Sequence, residues 1–273
     1  MRCNNFWSLN TYSQHSFSSY DDQLTRGGPL VRLPARNNLN ATLTSDGRGL
    51  LAVQVNGSLN WNPAGGWSRD VGVTATIHPG PNFQLQVGPS YSRARNVSQF
   101  IRSVGDPTAT TTYGMRSVFA TIDETDLALD TRLNWTFSPK ASLQLYVQPL
   151  IVAGAYSDYK QLRTPGTFNF DVYGRDAGSI SHGSDGFTVD PDGAGPAPVF
   201  TIGDQDFNFR SLRANLIFRW EYRPGSTLFV VWQQQRAGSA PYGDFAFRRD
   251  FGALFDNAAT NVLAVKATYW LGL

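Results

Sequence analysis

The chain has 273 residues, of which 16% are charged and 13% aromatic, and its formal net charge is +2. This charged fraction is well below the usual quarter, and without a long basic run the sequence predicts no nucleic-acid partner. The only cysteine, Cys3, excludes an intrachain disulfide and a thiolate metal cluster.

Apolar and polar side chains alternate with a period of two from about Leu39 to the C-terminus, which is the pattern of strands with two different faces. The apolar positions of the clearest runs are Leu51, Val53, Val55, Leu59 and Trp61; Val71, Val73, Ala75 and Ile77; Phe83, Leu85, Val87 and Tyr91; Leu127, Leu129, Leu133, Trp135 and Phe137; Leu143, Leu145, Val147 and Ile151; Leu212, Ala214, Leu216, Phe218, Trp220 and Tyr222; Leu228, Val230 and Trp232; and Leu263, Val265, Ala267, Tyr269, Leu271 and Leu273. Segments 97–103 and 112–122 are predicted strands of ambiguous facing, and 6–15 is a weaker one. The prediction is roughly twelve strands.

The connections between these strands differ in length. The short ones are SDGRG (45–49), HPGPN (78–82), GDPTA (105–109), SPKA (138–141) and RPGS (223–226), and the long ones are roughly 17–37, 62–69, 157–210 and 237–258, with compact breaks near Arg95 and Glu124. All five short turns are predicted to lie at one end. Tight turns at one end and long loops at the other are typical of an antiparallel up-and-down transmembrane β-barrel, with 157–210 as a long extracellular loop.

Two further features favour lipid, rather than a protein core, against the apolar face. On the well-patterned strands this face is expected to carry no charge, whereas the opposite face carries the lumen-facing candidates Asp130, Arg132, Arg219, Glu221 and Lys266. Aromatic residues gather beside the short turns as an expected interfacial girdle: Phe83, Trp135, Phe137, Trp220, Tyr222 and Tyr269. A soluble sandwich or barrel explains the alternation equally well, but not the placement of the aromatic residues.

The charged lumen candidates have two interpretations. They could form a polar lining that selects solutes, as charged rings do in pores. They could instead form an ion-paired network that fills a narrow barrel, which is favoured because a barrel with few strands encloses little water.

No catalytic motif is found, and no cofactor is predicted. The three histidines are His15, His78 and His182, and zinc-protease and serine-hydrolase motifs are absent. Ser181, His182 and Asp185 share one loop, but a triad requires a supporting geometry, so a flexible polar loop is favoured. Asp190 and Asp192 form a weak calcium candidate within DPDG, without the other ligands of a calcium loop.

Several stretches resemble one known family. They are YDDQLTRGGPLVRLP (20–34), VGPSYSRARN (87–96), FSPKASLQLYVQPL (137–150), DPDGAGPAP (190–198), DQDFNFRSLR (204–213), NLIFRWEYRPGSTLFVVWQQQR (215–236) and NVLAVKATYWLGL (261–273). They are similar to the C-terminal outer-membrane barrel family of unknown function found behind a carbohydrate-binding family nine-like domain in Bacteroidetes and related bacteria. The resemblance implies a bacterial outer-membrane barrel associated with a sugar-binding module.

The sequence departs from that family pattern because it shows no signal peptide, sugar-binding module or earlier strands. It is therefore expected to be the C-terminal part of a longer barrel protein. The expected partners are the lipid bilayer, the barrel-insertion machinery and, through the missing module, glycans. Three functions stay open: a barrel that binds or takes up glycans, a membrane-associated hydrolase, and a structural anchor that transports nothing.

Overall fold

The structure is a computed structural model that describes residues 6–271, and Cys3 and Leu273 lie outside this range. Its strands are β1 (Ser8–Ser16), β2 (Ser19–Asp21), β3 (Val31–Leu33), β4 (Arg36–Thr44), β5 (Leu51–Trp61), β6 (Trp67–Gly80), β7 (Phe83–Gly105), β8 (Met115–Ser138), β9 (Ala141–Leu162), β10 (Phe170–Val172), β11 (Ser179–Gly183), β12 (Gly186–Asp190), β13 (Phe200–Ile202), β14 (Phe207–Arg223), β15 (Ser226–Ala240) and β16 (Thr260–Ala267). A helix, α1 (Phe247–Asp256), lies between β15 and β16, and a 3-10 turn spans Thr110–Thr112. No helix within 6–271 is long and apolar enough to cross a bilayer.

Eleven strands form the main sheet. Ten of them follow the order β1-β4-β5-β6-β7-β8-β9-β14-β15-β16, and β10 is added to β9. Every pair in this order is antiparallel. The predicted all-β, antiparallel up-and-down architecture is confirmed. The estimate of roughly twelve strands compares with eleven in the main sheet and sixteen in all within residues 6–271.

The breaks predicted near Arg95 and Glu124 are wrong, because β7 and β8 are continuous strands of 23 and 24 residues. The register of β7 against β8 shifts between Asn96 and Gln99 and again between Phe100 and Arg102. Each such bulge adds a residue to one strand and reverses its alternation. The ambiguous facing of 97–103 is the result.

Because β7 and β8 are continuous, one short turn, GDPTA, lies at the end of the sheet opposite to the predicted one. The chain reverses at 45–50, 81–82, 139–140 and 224–225 at one end of the sheet, and at 17–35, 62–66, 106–114, 163–206 and 241–259 at the other. GDPTA therefore lies at the end of the long loops, opposite to its predicted position, and the other four short turns share one end. We call the end with the four short turns the short-turn end.

Three strands rise above the rest of the sheet at the end with the long loops. We call segments 96–105, 115–123 and 155–162 the three-stranded extension, and the remainder of the main sheet the wall. Val118, Phe119 and Ala120 are all fully buried in the extension, so both of its faces are covered. This explains why 112–122 lacks alternation: both faces of that strand need apolar side chains.

Separate segments cover the two faces of the extension. The second sheet, β11-β12-β13, contributes Val189, Phe200 and Ile202 to a core with Val118 and Ala120. On the other face, Phe119 packs with residues of the first loop and of β10, namely Val31, Leu24, Phe168 and Phe170. The segment predicted as a loop at 157–210 is in fact shorter, 163–206, because β9 and β14 continue into it, and it carries four short strands.

The wall has a different organisation. A third cluster, formed by Ile151, Leu212 and Leu254, lies where α1 packs on the wall. Within residues 6–271, the remaining wall contains no buried apolar cluster, and all eight residues of β16 are exposed. The wall is thus a single layer whose two faces are open over most of its area.

Candidate functional site on the polar face of the wall

The strand register brings polar residues of five strands into one row. Gln86, Arg132, Tyr146, Asn215 and Gln233 are successive partners from β7 to β15. Directly opposite residues on neighbouring strands point to the same face. The five side chains therefore share one face, which we call the polar face of the wall.

A groove of 390 Å³ lies on this face. Its lining residues are Arg132, Asn134, Gln144, Leu145, Tyr146, Asn215 and Ile217. Amide side chains offer both hydrogen-bond donors and acceptors, and Tyr146 adds an aromatic ring. The side-chain oxygen of Asn215 is buried and has no hydrogen-bond partner within residues 6–271. The groove thus offers hydrogen bonds in both roles beside the positive charge of Arg132.

Of the predicted lumen residues, Arg132 lines this groove, and Asp130 contacts the lining residue Tyr146. The hydroxyl of Tyr146 donates to Asp130 Oδ1 at 2.8 Å, and Gln148 Nε2 donates to the same oxygen at 3.0 Å. The guanidinium of Arg132 lies over the Tyr146 ring, 5.2 Å from its centroid. Asp130 thus fixes the orientation of the tyrosine, and Arg132 stacks on it.

The other three predicted lumen residues lie on the same face near the short-turn end. Arg219 pairs across the strands with Phe229, which pairs with Lys266. Arg219 and Glu221 form an ion pair of 3.6 Å. The five residues therefore do not form one site: Asp130 and Arg132 lie at the groove, Arg219 and Glu221 form a separate ion pair, and Lys266 belongs to neither. The sequence alone did not identify Gln144, Tyr146 or Asn215 as members of the groove. Their alternation and the register of β9 against β14 are the signals that unite them.

The opposite face carries an apolar row across eight strands. Its successive partners are Leu51, Ile77, Leu85, Leu133, Leu145, Leu216, Trp232 and Leu263. We call this face the apolar face. The prediction that it carries no charge is wrong. Near the upper end of the face, Arg69 pairs with Leu59 and with Arg93. On β14 and β15, Arg210 pairs with Ile151, and Arg236 pairs with Leu212. Both arginines lie beneath the segment that contains α1.

The six predicted girdle residues lie beside the turns of the short-turn end. Phe83 and Trp135 pack edge to face at 5.8 Å, Trp135 contacts Phe137 at 4.2 Å, and Trp220 and Tyr222 pack at 6.0 Å. Tyr222 donates its hydroxyl to the carbonyl of Thr268 at 2.8 Å. The phenol oxygen of Tyr269 accepts a hydrogen bond from Arg223 at 2.7 Å. Each tyrosine hydroxyl is thus anchored at the sheet end, while Trp135, Phe137, Trp220 and Tyr269 stay exposed.

The segment considered for hydrolase chemistry has another arrangement. His182 lies in β11, where Nε2 is 3.8 Å from a carboxylate oxygen of Asp204 and its ring stacks near Phe187. Asp185 accepts from Ser184 at 3.3 Å. Among the hydrogen bonds of residues 6–271, none joins Ser181 to His182 or His182 to Asp185. These residues lie on the β11-β12 hairpin, and their side chains do not form the nucleophile-base contact that a triad needs.

The weak calcium candidate is occupied by turn hydrogen bonds. Asp190 Oδ1 accepts from the backbone N–H of Gly193 at 2.8 Å, and Asp192 Oδ2 accepts from that of Ala197 at 2.9 Å. In the part of the chain that the structure describes, no group of three His, Cys, Asp or Glu residues could hold a metal ion. Both aspartates act as turn-forming residues.

Comparisons with known proteins give one solved structure and one family. The chain superposes on the copper transporter OprC with a TM-score of 0.48 and 12% identity, over 95% of this chain and 37% of that chain. It thus spans little more than a third of the transporter's length. No curated protein matches. A family model described as a domain of unknown function matches residues 2–273. This confirms the resemblance to a family of unknown function, but not its association with a carbohydrate-binding domain. The chain belongs to this family, DUF5916.

Proposed function

We propose that the chain forms the wall of a bacterial outer-membrane β-barrel, with the apolar face against lipid and the polar face lining an aqueous lumen. The observation that carries this proposal is the apolar row across eight strands on a single-layer sheet. A soluble protein covers such a face with a second layer. Lipid supplies the same cover without protein.

The width and limits of the apolar face agree with this proposal. On β8, the girdle residue Trp135 and the outward-facing Leu127 are eight residues apart. At about 3.3 Å per residue and a tilt of about 40°, they are separated by about 20 Å across the membrane. The apolar band of such barrels is about 25 Å tall.

The substrate class that the polar face fits best is a glycan. The groove offers Asn134, Gln144 and Asn215 as donors and acceptors, and Tyr146 as a ring held by Asp130. Amides match sugar hydroxyls in both roles, and an aromatic face packs against the apolar face of a sugar ring. We therefore propose that the barrel binds or passes glycans, in association with a sugar-binding module on the longer protein.

Membrane insertion is tested by expressing the chain behind a secretion signal, followed by membrane fractionation and gels of heated and unheated samples. Outer-membrane fractionation with heat-dependent migration is the expected result. Insertion that occurs only with the upstream segment supplied would also support the wall proposal and assign closure of the barrel to the longer protein. Recovery as a soluble monomer would refute it.

The glycan proposal is tested by titrating the vesicle-inserted protein with soluble neutral oligosaccharides. Binding should be lost on Asn215→Leu and on Tyr146→Ala, and kept on Gln54→Leu, an exposed polar residue of β5 outside the groove. Binding that is unchanged in all three variants would place the sugar elsewhere. Absence of any binding by the inserted wild-type chain would remove the glycan function and leave the barrel.

A further inference from the structure

Helix α1 carries a row of three exposed aromatic residues. Phe247, Phe251 and Phe255 are spaced four residues apart and are 53%, 41% and 52% exposed. Phe247 stacks on Phe251 at 5.5 Å, and Phe251 packs edge to face on Phe255 at 5.7 Å. Residues four apart share one helix face. A continuous phenylalanine row on an otherwise polar helix is costly in water and is typical of helices that lie in a membrane interface.

The helix is fastened to the apolar face of the wall by the flank next to this row, since Leu254 is seven residues from Phe247 and three from Phe251. Leu254 is buried against Ile151 and Leu212. Asp250 is fully buried, accepts from the backbone N–H of Ala246 at 2.8 Å and pairs with Arg249 at 2.7 Å. These contacts hold the helix in place and leave the three phenylalanines about half exposed along the edge where the helix meets the wall.

The helix segment also covers Arg210 and Arg236, two of the charges on the apolar face. Arg236 donates to the carbonyls of Phe255 and Asn257 at 2.7 and 3.2 Å. Arg210 lies against Tyr242, with its guanidinium 5.9 Å from the ring centroid. An arginine that faces lipid near the interface, at the level of this segment, costs about 0–1 kcal/mol. The segment replaces two such charges by three phenylalanines at the surface.

The position of the helix matches the upper limit of the apolar band. Moving away from the short-turn end, the last apolar row joins Val71, Tyr91 and Leu127, and the next row contains Arg69 and Arg93. The helix packs at the level of Leu127, since Leu127 pairs with Ile151. It thus lies at the predicted boundary between acyl chains and headgroups.

A groove of 210 Å³ connects the helix to the wall at this level. Its lining is almost wholly apolar and consists of Pro89, Leu127, Ala128, Leu129, Pro149, Ile151, Phe247 and Phe251. The groove is continuous with the apolar face, which the proposed function places in lipid. Arg248, on the helix beside it, is exposed and forms no ion pair within residues 6–271.

Resting on the proposed function, we infer that α1 is an interfacial helix that inserts Phe247, Phe251 and Phe255 among the acyl chains of the outer leaflet. The groove beside it receives part of one acyl chain, and Arg248 points to the level of the lipid phosphates. The lipid is recognised by its apolar chains, which the row and the groove both fit.

The test uses the single cysteine of the chain. In a Cys3→Ser background, spin labels are placed by Phe251→Cys, Phe255→Cys, Arg248→Cys and Leu216→Cys, the last on the wall. Each variant is inserted into vesicles of phosphatidylethanolamine and phosphatidylglycerol, and its heat-dependent migration is checked. Collisions with apolar oxygen and with a water-soluble nickel chelate are then measured at each label.

The expected result is high oxygen and low nickel accessibility at 251, 255 and 216, with several-fold higher nickel accessibility at 248. Nickel access at 251 and 255 with protection at 216 would overturn this inference and leave the barrel intact. Low access of both reagents at 251 would also overturn it, because the row would then be covered by protein. Nickel access at 216 would refute the proposed function itself.

Discussion

The sharpest test of the two-faced wall is a pair of arginine substitutions at adjacent residues. Leu216 lies in the apolar row, between Leu145 and Trp232, and Ile217 lies on the polar face in the groove. Leu216 is four residues from the girdle residue Trp220. At about 3.3 Å per residue and a tilt of about 40°, Leu216 lies about 10 Å above the girdle, close to the middle of a band of about 25 Å.

Leu216→Arg should therefore destabilise the inserted protein by about 2–4 kcal/mol, the cost of an arginine facing lipid near the midplane. This lowers the folding equilibrium constant by roughly 30-fold to 700-fold. Ile217→Arg removes an aliphatic side chain of the same size from a water-filled face, so its cost should stay below about 1 kcal/mol. The two variants have the same charge change and the same backbone position within one residue.

The assay is reversible unfolding in urea of protein inserted into vesicles of a short-chain phosphatidylcholine, followed by tryptophan fluorescence. Both variants and the parent protein should have the same m-value, which would show that unfolding exposes the same surface in all three. Equal losses at 216 and 217, or a greater loss at 217, would refute the assignment of the two faces.

Three further predictions concern the parts outside the wall. Asp106→Asn should destabilise 106–114 by about 3 kcal/mol, because buried Asp106 pairs with Arg116 and accepts from Thr108 at 2.8 and 2.6 Å. Hydrogen exchange of that segment measures the loss. The control Asp46→Asn, in the exposed Asp46–Arg48 pair, should leave stability unchanged. Burial raises the pKa of Asp250, but hydrogen bonds from Arg249 and from the backbone N–H of Ala246 outweigh this effect, so the pKa of Asp250 lies below the usual 3.8. The stability that Asp250 adds to α1 is therefore present above that pH and lost as the pH falls below it. The nickel accessibility of a label at 251 should rise on the same acidification, and an unchanged accessibility would contradict this reasoning. Gly186→Ala should disrupt β12 and β13 and cost about 3 kcal/mol or more, since φ is +106° and a Cβ would collide with the Ile202 carbonyl. Gly193→Ala, where φ is +74° and the surrounding space is open, should cost only about 1 kcal/mol. Limited proteolysis of 163–206 measures both effects, and equal cleavage of the two variants would refute the reasoning.

Strand periodicity predicted the wall well, because each wall strand has one apolar and one polar face. The row from Leu51 to Leu263 consists of positions that alternate in the sequence. Alternation failed in the three-stranded extension for two physical reasons. Bulges in β7 reverse the facing of 97–103, and burial of both faces makes Val118, Phe119 and Ala120 all apolar.

The polar groove was only partly predictable. Asp130 and Arg132 stood out because charges are rare in this chain, whereas Gln144, Tyr146 and Asn215 are ordinary polar strand residues. They become a groove through the pairing of β9 with β14, which are 44 residues apart in sequence and joined by a folded insertion. Arg210 and Arg236 were missed for a similar reason. Their cover comes from a helix that local alternation does not reveal.

The unequal heights of the strands determine how a solute would approach the proposed barrel. The three-stranded extension rises about ten residues beyond the 62–66 hairpin, which at about 3.3 Å per residue and a tilt of about 40° is about 25 Å. The upper edge of the proposed barrel is therefore uneven: it is low at β5 and β6 and high at β7 to β9, where the three-stranded extension lies. The three-stranded extension also carries the β11-β12-β13 sheet, on the side of the proposed lumen. In the proposed barrel, the groove at Tyr146 is therefore open to a solute from the side of β5 and β6 and shielded by protein on the side of β7 to β9.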